Sequence, residues 1–287
     1  MKIDLHTHSS ASDGIKSPRG LAEFAQLNGI SALALTDHDT IDGLDEAETA
    51  AKKHGLDFIP GIEFSVDYPG GSFHLLGYYI DRNNEELKNE LKWITDMRDK
   101  RAGLIVDDLN ANGFKISLDQ IISEAGSASA IGRPHIARIL LKNGYGSDLN
   151  DIFKNFLVKG KPGYVKKNKI SPTRAFELIK LSGGIAVAAH PSSLGFETQD
   201  QIDNFIVEMK QYGLAGLECY SGAHTFDQIN FYLDIANNHK LLVTGGSDFH
   251  GDKNETIGYY SEGNAIPYEL FETLSDYYKN YRKADRS

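Results

Sequence analysis

Apolar runs without helical spacing alternate with amphipathic stretches along most of the chain. Residues 30–35 form one such run, which predicts a buried strand. Ser17-Pro18 and Gly29 mark the start and the end of a helix before it. The alternation resumes after residue 171 and gives seven predicted strand ends, at Leu5, Leu35, Ile59, Tyr79, Ala189, Glu218 and Val243. Alternating strands and helices predict an α/β fold with parallel strands around a barrel, one strand short of the usual eight.

The alternation stops between residues 83 and 160, where the spacing is helical and no strand is evident. Leu87, Leu91, Ile94 and Met97 begin an apolar stripe that predicts a helix core. We therefore divide the chain into a barrel, residues 1–82 and 161–287, and an all-helical insertion, residues 83–160, which we expect to cover the active site. The polar, tyrosine-rich segment from Tyr277 onwards is expected to be loosely held.

Composition excludes several classes of protein. The 287 residues suit one large α/β domain or a domain with an insertion. No apolar run approaches the roughly 20 residues that cross a membrane, and no signal peptide is evident. One cysteine, Cys219, excludes an internal disulfide and suits a reducing cytoplasm. A net charge of −10 argues against binding of duplex DNA. We expect a cytoplasmic protein that binds neither duplex DNA nor a membrane.

Residue types that bind metals recur at the predicted strand ends. His6 and His8 are two residues apart after the first strand, so their rings face the same side, and Asp13 follows on a loop that can fold back. The full set has six histidines and three carboxylates: His6, His8, His38, His74, His190, His250, Asp13, Glu63 and Asp248. A single histidine of this set is more simply a core or surface residue, but recurrence at successive strand ends favours metal binding. The set exceeds the roughly four to six ligands of one ion, so two or three divalent ions are expected, and the lack of thiolates favours Mn, Zn or Fe.

These residues lie in motifs that resemble a known family. Asp4-Leu5-His6-Thr7-His8, Thr36-Asp37-His38-Asp39, Gly61-Ile62-Glu63, Ala189-His190-Pro191 and Ser247-Asp248-Phe249-His250 resemble those of the PHP (polymerase and histidinol phosphatase) domain. The resemblance implies a distorted seven-stranded (β/α)7 barrel. It also implies three groups of ligands: His6, His8, Glu63 and Asp248; Glu63, His74 and His190, with Glu63 bridging; and Asp13, His38 and His250.

The insertion indicates which group of PHP proteins the chain resembles. The segments 132–138 and 159–165 resemble those of stand-alone PHP phosphoesterases. Such proteins remove phosphate from nucleotides, including 3′,5′-bisphosphates, and some act as 5′→3′ exonucleases on short RNA. The resemblance implies a metal-dependent phosphoric ester hydrolase whose substrate is a small phosphorylated molecule, a nucleotide or a short RNA.

Several residues outside the ligand set are candidates for substrate contacts. Arg133 precedes a predicted helix start, and its planar guanidinium pairs well with phosphate oxygens. Lys161, Tyr164 and His135 are further candidates, although each could serve only packing or solvation. His224 follows the sixth strand end, so we consider it as the proton donor to the leaving group, although it could be only a solvated loop histidine. Two acidic neighbours of His38, Asp37 and Asp39, are expected to orient the ligands, although Asp39 could serve only a turn.

The expected mechanism is in-line attack on phosphorus by a metal-bridging hydroxide, with Arg133 and the ions stabilising charge on the phosphoryl oxygens. One alternative is a histidinol phosphatase or another small phosphomonoesterase with the same metals. An alternative of a different class is a non-catalytic domain that binds metal as an accessory of a larger assembly. We expect a monomer or a small homo-oligomer.

Overall fold

The computed structural model describes residues 1–126, 131–166, 169–252 and 255–285, without the side chains of residues 262, 284 and 285. The chain divides into two compact units: Met1–Asn89 together with Ile170–Ser287, and Glu90–Lys169. The first unit contains the strands and most of the helices. Helices are the only regular secondary structure among the described residues of the second unit.

Nine strands are present among the described residues. Seven of them form one sheet in chain order: β1 (Lys2–Asp4), β2 (Ile30–Leu35), β3 (Asp57–Val66), β4 (Phe73–Tyr78), β5 (Ile185–Ala188), β6 (Leu214–Ser221) and β7 (Leu242–Gly246). A separate two-stranded sheet contains β8 (Tyr259–Tyr260) and β9 (Asn264–Ala265).

Strand direction departs from the prediction at β4. The pairs β1–β2, β2–β3, β5–β6 and β6–β7 are parallel, but β4 is antiparallel to both β3 and β5. The reason lies in the connection after β3, residues 67–72, which contains Pro69-Gly70-Gly71 and is too short for the helical crossover that a parallel pair needs. The sheet is therefore mostly parallel, and the expectation of parallel strands throughout was wrong.

The first and last strands of the large sheet also meet. The backbone N–H of Leu5 donates to the carbonyl of Gly245 at 3.2 Å, and Thr7 and Phe249 form an isolated parallel bridge just beyond the strands. These contacts bring the loops after β1 and β7 together.

Ten α-helices are present among the described residues. They are α1 (Pro18–Leu27), α2 (Leu44–Lys53), α3 (Glu85–Ala111), α4 (Leu118–Ala125), α5 (Arg133–Lys142), α6 (Leu149–Ile152), α7 (Pro172–Leu181), α8 (Gln199–Tyr212), α9 (Phe226–His239) and α10 (Glu269–Asp285). A π-helical turn, Phe153–Leu157, continues α6, and 3-10 turns span Pro191–Leu194 and Ser261–Gly263. The start of helix α1 follows from the sequence. The Ser17 side chain accepts the N–H of Gly20, and Pro18 occupies the first turn. None of these helices is long and apolar enough to cross a membrane.

Each unit has its own apolar core. In the first unit, strand side chains and two residues near the C-terminus pack together: Ile3, Leu5, Ala32, Ala34, Ile59, Leu76, Tyr78, Ile185, Val187, Ala189, Ile266 and Leu274. In the second unit, Ile105, Leu109, Ile136 and Leu140 join α3 to α5. Of the stripe that the sequence predicts in α3, Leu87, Leu91 and Ile94 are buried and Met97 is half-buried.

The C-terminal segment is not loosely held. Tyr277 and its neighbours belong to α10, in which Phe271, Leu274 and Tyr278 lie at helical spacing and pack against the core of the first unit. The Tyr278 ring stacks on Tyr79, with centroids 4.1 Å apart and planes 7° apart. The polar composition concealed an amphipathic helix, because tyrosine rings can cover apolar surface while their hydroxyl groups face water.

Candidate metal centre

The six histidines and three carboxylates of the predicted ligand set come together at one edge of the large sheet. Most of them follow the C-terminal ends of parallel strands. Two do not: Glu63 lies within β3, and His74 is the second residue of β4. Because β4 runs antiparallel, its beginning lies beside the ends of its neighbours. The structure thus brings His74 to the predicted place for a different reason.

A first group contains His6, His8, Glu63 and Asp248, whose candidate ligand atoms all lie within 4.8 Å of one another. Nε2 of His8 lies 3.0 Å from Oδ1 of Asp248 and 3.3 Å from Oε2 of Glu63. Nε2 of His6 lies 3.4 Å from both Glu63 Oε1 and Asp248 Oδ1. Spacing of this kind allows four atoms to share one cation.

Glu63 also faces a second group. Its Oε1 lies 2.9 Å from Nδ1 of His74 and 3.1 Å from Nε2 of His190, while its Oε2 lies 2.8 Å from Nδ1 of His38. The two carboxylate oxygens therefore point to different sets of imidazoles. This arrangement suits a carboxylate that bridges two ions.

The third group is the most accessible of the three. It contains His8, Asp13, His38 and His250. Nε2 of His250 lies 3.4 Å from Oδ1 of Asp13, and the rings of His8 and His250 stack with centroids 4.2 Å apart. His8 and His38 thus belong to two groups each, a sharing that the predicted grouping did not contain.

Unpaired ligand atoms show that the site fits a cation. Nε2 of His6, Nδ1 of His74 and Oε2 of Glu63 are buried, yet none of them has a hydrogen-bond partner among the described residues. Buried polar atoms are almost always satisfied, so leaving three in one cluster is costly. Divalent ions between these atoms would satisfy them together. Imidazole and carboxylate donors without thiolate are the chemistry of Zn, Mn and Fe sites.

In His190 and His250, a hydrogen bond at the outer nitrogen of the ring fixes which nitrogen faces the cluster. Nδ1 of His190 lies 3.0 Å from Oγ of Ser193, whose hydroxyl donates to the carbonyl of Ser72 at 2.7 Å. The Ser193 oxygen therefore accepts from His190, which leaves Nε2 of that ring free for the cluster. Nδ1 of His250 donates to the carbonyl of Asp248 at 2.8 Å with the same result. Such outer contacts are typical of metal-binding histidines.

Glu218 contacts the outer ring nitrogen of His6 in the same way. The sequence predicts for Glu218 only the end of a strand. Its oxygens lie 3.0 and 3.2 Å from Nδ1 of His6. Asp4 was also missed: it is fully buried and accepts the N–H groups of Ser247 and Gly258. The only signal available for either residue was a carboxylate at the end of an otherwise apolar strand.

The two acidic neighbours of His38 hold the loops around the cluster. Asp37 accepts the N–H and the hydroxyl of Ser9, both at 2.7 Å, and the hydroxyl of Ser12 at 2.6 Å. These bonds anchor the loop that carries Asp13. Asp39 accepts the N–H of Ser65 at 2.8 Å. Burial raises the pKa of Asp37 to about 6 despite these bonds.

The charges in the cluster are strongly coupled. Burial would raise the pKa of Glu63, but the imidazoles around it, His38 first, outweigh burial and hold that pKa well below its usual range. Burial and the nearby His250 lower the pKa of His8 to about 4. Burial opposes protonation of His250 too, but its contact with Asp13 raises its pKa to about 10. The carboxylates therefore attract positive charge into the cluster, and divalent ions would supply it.

The backbone is strained at the same place. His190 has φ 21° and Asp248 has φ 58°, values in the left-handed region that residues other than glycine rarely adopt. Asp39 shows the same feature with φ 52°. Strain that the surrounding structure maintains is typical of functional sites.

His224 lies in the first unit and is 2% exposed. Its Nδ1 donates to the carbonyl of Cys219 at 2.9 Å, which leaves a lone pair rather than a proton on Nε2 of the neutral ring. That Nε2 has no hydrogen-bond partner among the described residues. Burial lowers the pKa of His224, which opposes the charged form that a proton donor would need. The geometry favours Nε2 as an acceptor, and the donor assignment stays a prediction.

The four predicted substrate contacts lie in the second unit. Arg133 is half-buried and donates from Nη1 to the carbonyl of Leu157 at 3.1 Å, and burial lowers its pKa. His135 is buried, and its Nδ1 accepts the N–H of Gly132, so this nitrogen caps α5. Tyr164 is half-buried and Lys161 is exposed. Contact of these residues with a substrate stays a prediction.

The chain has an α/β fold with a mostly parallel sheet, and imidazoles and carboxylates cluster at one edge of that sheet. These features define a candidate metal-binding α/β protein. The sequence profile of the PHP domain matches residues 4–238, and the chain belongs to this family. The family predicted from the motifs is thereby confirmed.

Named relatives and a solved structure agree with this family. The chain is 37% identical to a 5′-3′ exoribonuclease of Haemophilus influenzae, over 87% of this chain and 90% of the relative. It is 35% identical to a 3′,5′-nucleoside bisphosphate phosphatase of Chromobacterium violaceum, over 90% of both chains. The structure of an amidohydrolase from Chromobacterium violaceum, solved with bound sulfate and no metal, superimposes with a TM-score of 0.86 at 32% identity and covers 96% of both chains.

Proposed function

We propose that the chain is a metal-dependent phosphoesterase that hydrolyses phosphate esters of nucleotides. The substrate would be a 3′,5′-bisphosphate, a mononucleotide or the 5′ end of a short RNA. The observation that carries this proposal is a cluster of eight imidazole and carboxylate residues, with His190 3.1 Å from Glu63 as a ninth, in which several buried atoms have no hydrogen-bond partner among the described residues. The names of the two relatives, an exoribonuclease and a bisphosphate phosphatase, support the nucleotide class.

Two or three divalent ions, Mn, Zn or Fe, would occupy the cluster. His6, His8, Glu63 and Asp248 would hold one ion, Glu63 would bridge to a second with His74 and His190, and Asp13, His38 and His250 would hold a third. Bound ions of this kind lower the pKa of water to near neutrality and polarise phosphoryl oxygens. The accessible third group, with Asp13 and His250 partly exposed, would meet the substrate first.

The residues of the chain would contribute to the reaction in three ways. The buried carboxylates keep the cluster attractive to cations, and the Ser193 and Asp248 contacts keep imidazole lone pairs directed into it. His224 would exchange a proton with the leaving group or with the attacking water through Nε2. Arg133 would bind a substrate phosphate, with Lys161, Tyr164 and His135 near it.

Further features of the proposal concern the whole chain. The contact between Leu5 and Gly245 supports closure of the sheet into a distorted seven-stranded barrel. The helical insertion would cover the active site, as in the family arrangement that the motifs imply. Cytoplasmic location and a monomer or small homo-oligomer stay predictions.

The decisive experiment measures phosphate release with metal-loaded protein. Protein purified with added Mn is assayed on mononucleotides, 3′,5′-bisphosphates, short 5′-phosphorylated RNA and histidinol phosphate, with metal-free protein as control. Release from the nucleotide substrates that depends on metal supports the proposal. Phosphate release from histidinol phosphate alone would indicate a histidinol phosphatase. Metal bound without any turnover would indicate an accessory domain.

A further inference from the structure

Glu218 contacts two ligands of the candidate metal centre, His6 and His190. It is in β6, and its side chain is fully buried. Oε1 lies 3.0 Å from Nδ1 of His6, and Oε2 accepts the backbone N–H of His190 at 2.8 Å. Both carboxylate oxygens are therefore engaged by residues assigned to two different ions. Glu218 belongs to none of the three groups of candidate ligands.

The contact with His6 determines which nitrogen of that ring can bind a metal. A carboxylate can only accept a hydrogen bond, so Nδ1 of His6 carries the proton. The lone pair is then on Nε2, which faces Glu63 and Asp248 at 3.4 Å. With the opposite tautomer, Nε2 would carry a hydrogen and could not bind a cation.

The contact with His190 acts on the backbone. His190 has φ 21° and ψ 68°, a conformation that costs free energy in any residue with a side chain. The carboxylate of Glu218 accepts the N–H of this strained residue, and Ser193 holds the Nδ1 atom of its ring. Together they direct Nε2 of His190 to Oε1 of Glu63 at 3.1 Å.

We propose that Glu218 is a positioning residue that presents His6 and His190 to two neighbouring ions without binding either ion. The inference rests on the proposed metal centre. It predicts an unequal effect across the cluster: replacing one acceptor oxygen of Glu218 weakens the binding of at least one of the two ions that use His6 and His190. The ion held by Asp13, His38 and His250 is retained, because Glu218 contacts none of those three residues.

Glu218→Gln tests this with little change of shape. In Gln the amide nitrogen replaces one carboxylate oxygen, and this nitrogen is a donor that would face either Nδ1–H of His6 or the N–H of His190, so that two donors meet. One of the two ligands must lose its orientation. Loss of a comparable outer contact costs about 10- to 100-fold in metal affinity. We expect a loss of this size for at least one of the two ions that use His6 and His190, and wild-type affinity for the ion held by Asp13, His38 and His250.

Two measurements on zinc-loaded protein separate positioning from a general structural effect. The first is the number of zinc ions per chain and their affinities, from calorimetric titration of the metal-free protein and elemental analysis after dialysis. The second is the ring N–H signal of His6 in a ¹⁵N-edited spectrum, assigned by its loss in His6→Asn. This signal should be present in the wild type and absent or shifted in Glu218→Gln. Zinc is diamagnetic, so the signal can be observed in the loaded protein.

Control variants make the outcome decisive. Ser182→Ala removes another buried polar contact of the first unit, the bonds from Ser182 to the carbonyls of Leu178 and Ile179, and should leave zinc binding unchanged. Glu218→Asp keeps two acceptor oxygens on a shorter side chain, and it should bind zinc more tightly than Glu218→Gln. It also replaces the Gln variant if that protein fails to fold.

Wild-type zinc affinities together with an unchanged His6 signal in Glu218→Gln would overturn the proposal. Equal weakening of all ions in both Glu218 variants would also overturn it, because that result indicates only a damaged fold. Neither readout requires turnover. If the wild type binds zinc but hydrolyses no phosphoester, the proposed function fails while the position of Glu218 is still tested.

Discussion

Nδ1 of His74 lies 2.9 Å from Oε1 of Glu63, although the two residues are on strands that run in opposite directions. Glu63 pairs with Leu76 across these strands, so His74 is its diagonal neighbour on the same face of the sheet. The His74 atom is buried and has no hydrogen-bond partner among the described residues. Two groups that each offer a lone pair at this separation are stabilised by a cation between them.

The first prediction therefore concerns metal content and stability. Protein reconstituted with Mn or Zn should contain two or three ions per chain by elemental analysis. Each ion at a hundredfold excess over its Kd should add about 2.7 kcal/mol to the free energy of unfolding. Removal with a chelator should lower the Tm, measured by differential scanning fluorimetry, and added Mn should restore it. Trace metal only, or a Tm that the chelator does not change, would contradict this prediction.

The accessible third group gives the second prediction. Asp13→Ala and His38→Ala should reduce turnover by about a hundredfold or more, since an ion contributes several kcal/mol to stabilising the transition state. The fold should be retained, because both side chains lie at the surface of the cluster, 22% and 15% exposed. The measurements are kcat on a nucleotide substrate and the Tm of the metal-free protein.

His54→Ala is the matched control for these two variants. His54 ends α2, and its ring lies 3.9 Å from the Glu23 carboxylate, outside the cluster. We expect wild-type kcat for this variant. If Asp13→Ala or His38→Ala unfolds early but has normal activity per folded molecule, that residue is structural.

The single cysteine gives the third prediction. Cys219 is fully buried in β6, and burial raises the pKa of its thiol well above 9.0. The thiolate is the reactive form, so the native protein should react with a disulfide reagent far more slowly than the urea-unfolded protein. In the unfolded state the thiol ionises near its usual pKa, about 8.5, while in the folded state it stays protonated. Cys219 therefore contributes stability below that pH and loses it as the pH rises above it.

Comparison with Cys219→Ala isolates this linkage. Above pH 9 the stability of the wild type should fall more steeply with pH than that of the variant, by at most about 1.4 kcal/mol per pH unit. The measurement is urea unfolding at a series of pH values. Parallel pH profiles, or rapid labelling of the native protein, would show that the thiol is not protected.

The fourth prediction tests the C-terminal helix. Tyr278→Ala should lower the free energy of unfolding by about 2 kcal/mol, through loss of the stack on Tyr79 and of partly buried ring surface. Tyr277→Ala is the control, since Tyr277 is 40% exposed and should contribute less. Chemical denaturation of the metal-free protein measures both. Equal effects of the two variants would mean that α10 is not held through Tyr278.

The proximity of most residues in the cluster could be predicted from the sequence, because they follow apolar runs and two of them have the i, i+2 spacing of His6 and His8. Their binding of metal stays a prediction. The reason for the placement of His74 could not be predicted, because strand direction depends on the pairing of β4 with its neighbours rather than on its own residues. Glu218 was missed for a similar reason. Its partner His6 is 212 residues away, and no local pattern marks a carboxylate that accepts from a distant ring.

The last prediction decides the class of substrate. Arg133→Ala should raise KM for nucleotide substrates and leave metal content unchanged, because Arg133 lies in the second unit, outside the three groups of ligands. Its guanidinium lies at the start of α5, where free helix N–H groups also favour an anion. One Nη1 bond goes to the carbonyl of Leu157, which leaves other donors of the guanidinium for phosphate.

A charge-assisted contact with phosphate contributes about 1.5–3 kcal/mol, so its loss should lower kcat/KM about ten- to a hundredfold. If Arg133 binds the second phosphate of a bisphosphate, the loss should be larger for bisphosphates than for p-nitrophenyl phosphate. Arg138→Ala, on the same helix, is the control and should have little effect on either substrate. Equal losses on both substrates would assign Arg133 to the reacting phosphate. No loss on either would remove Arg133 from the active site and favour histidinol phosphate or another small phosphoester as substrate.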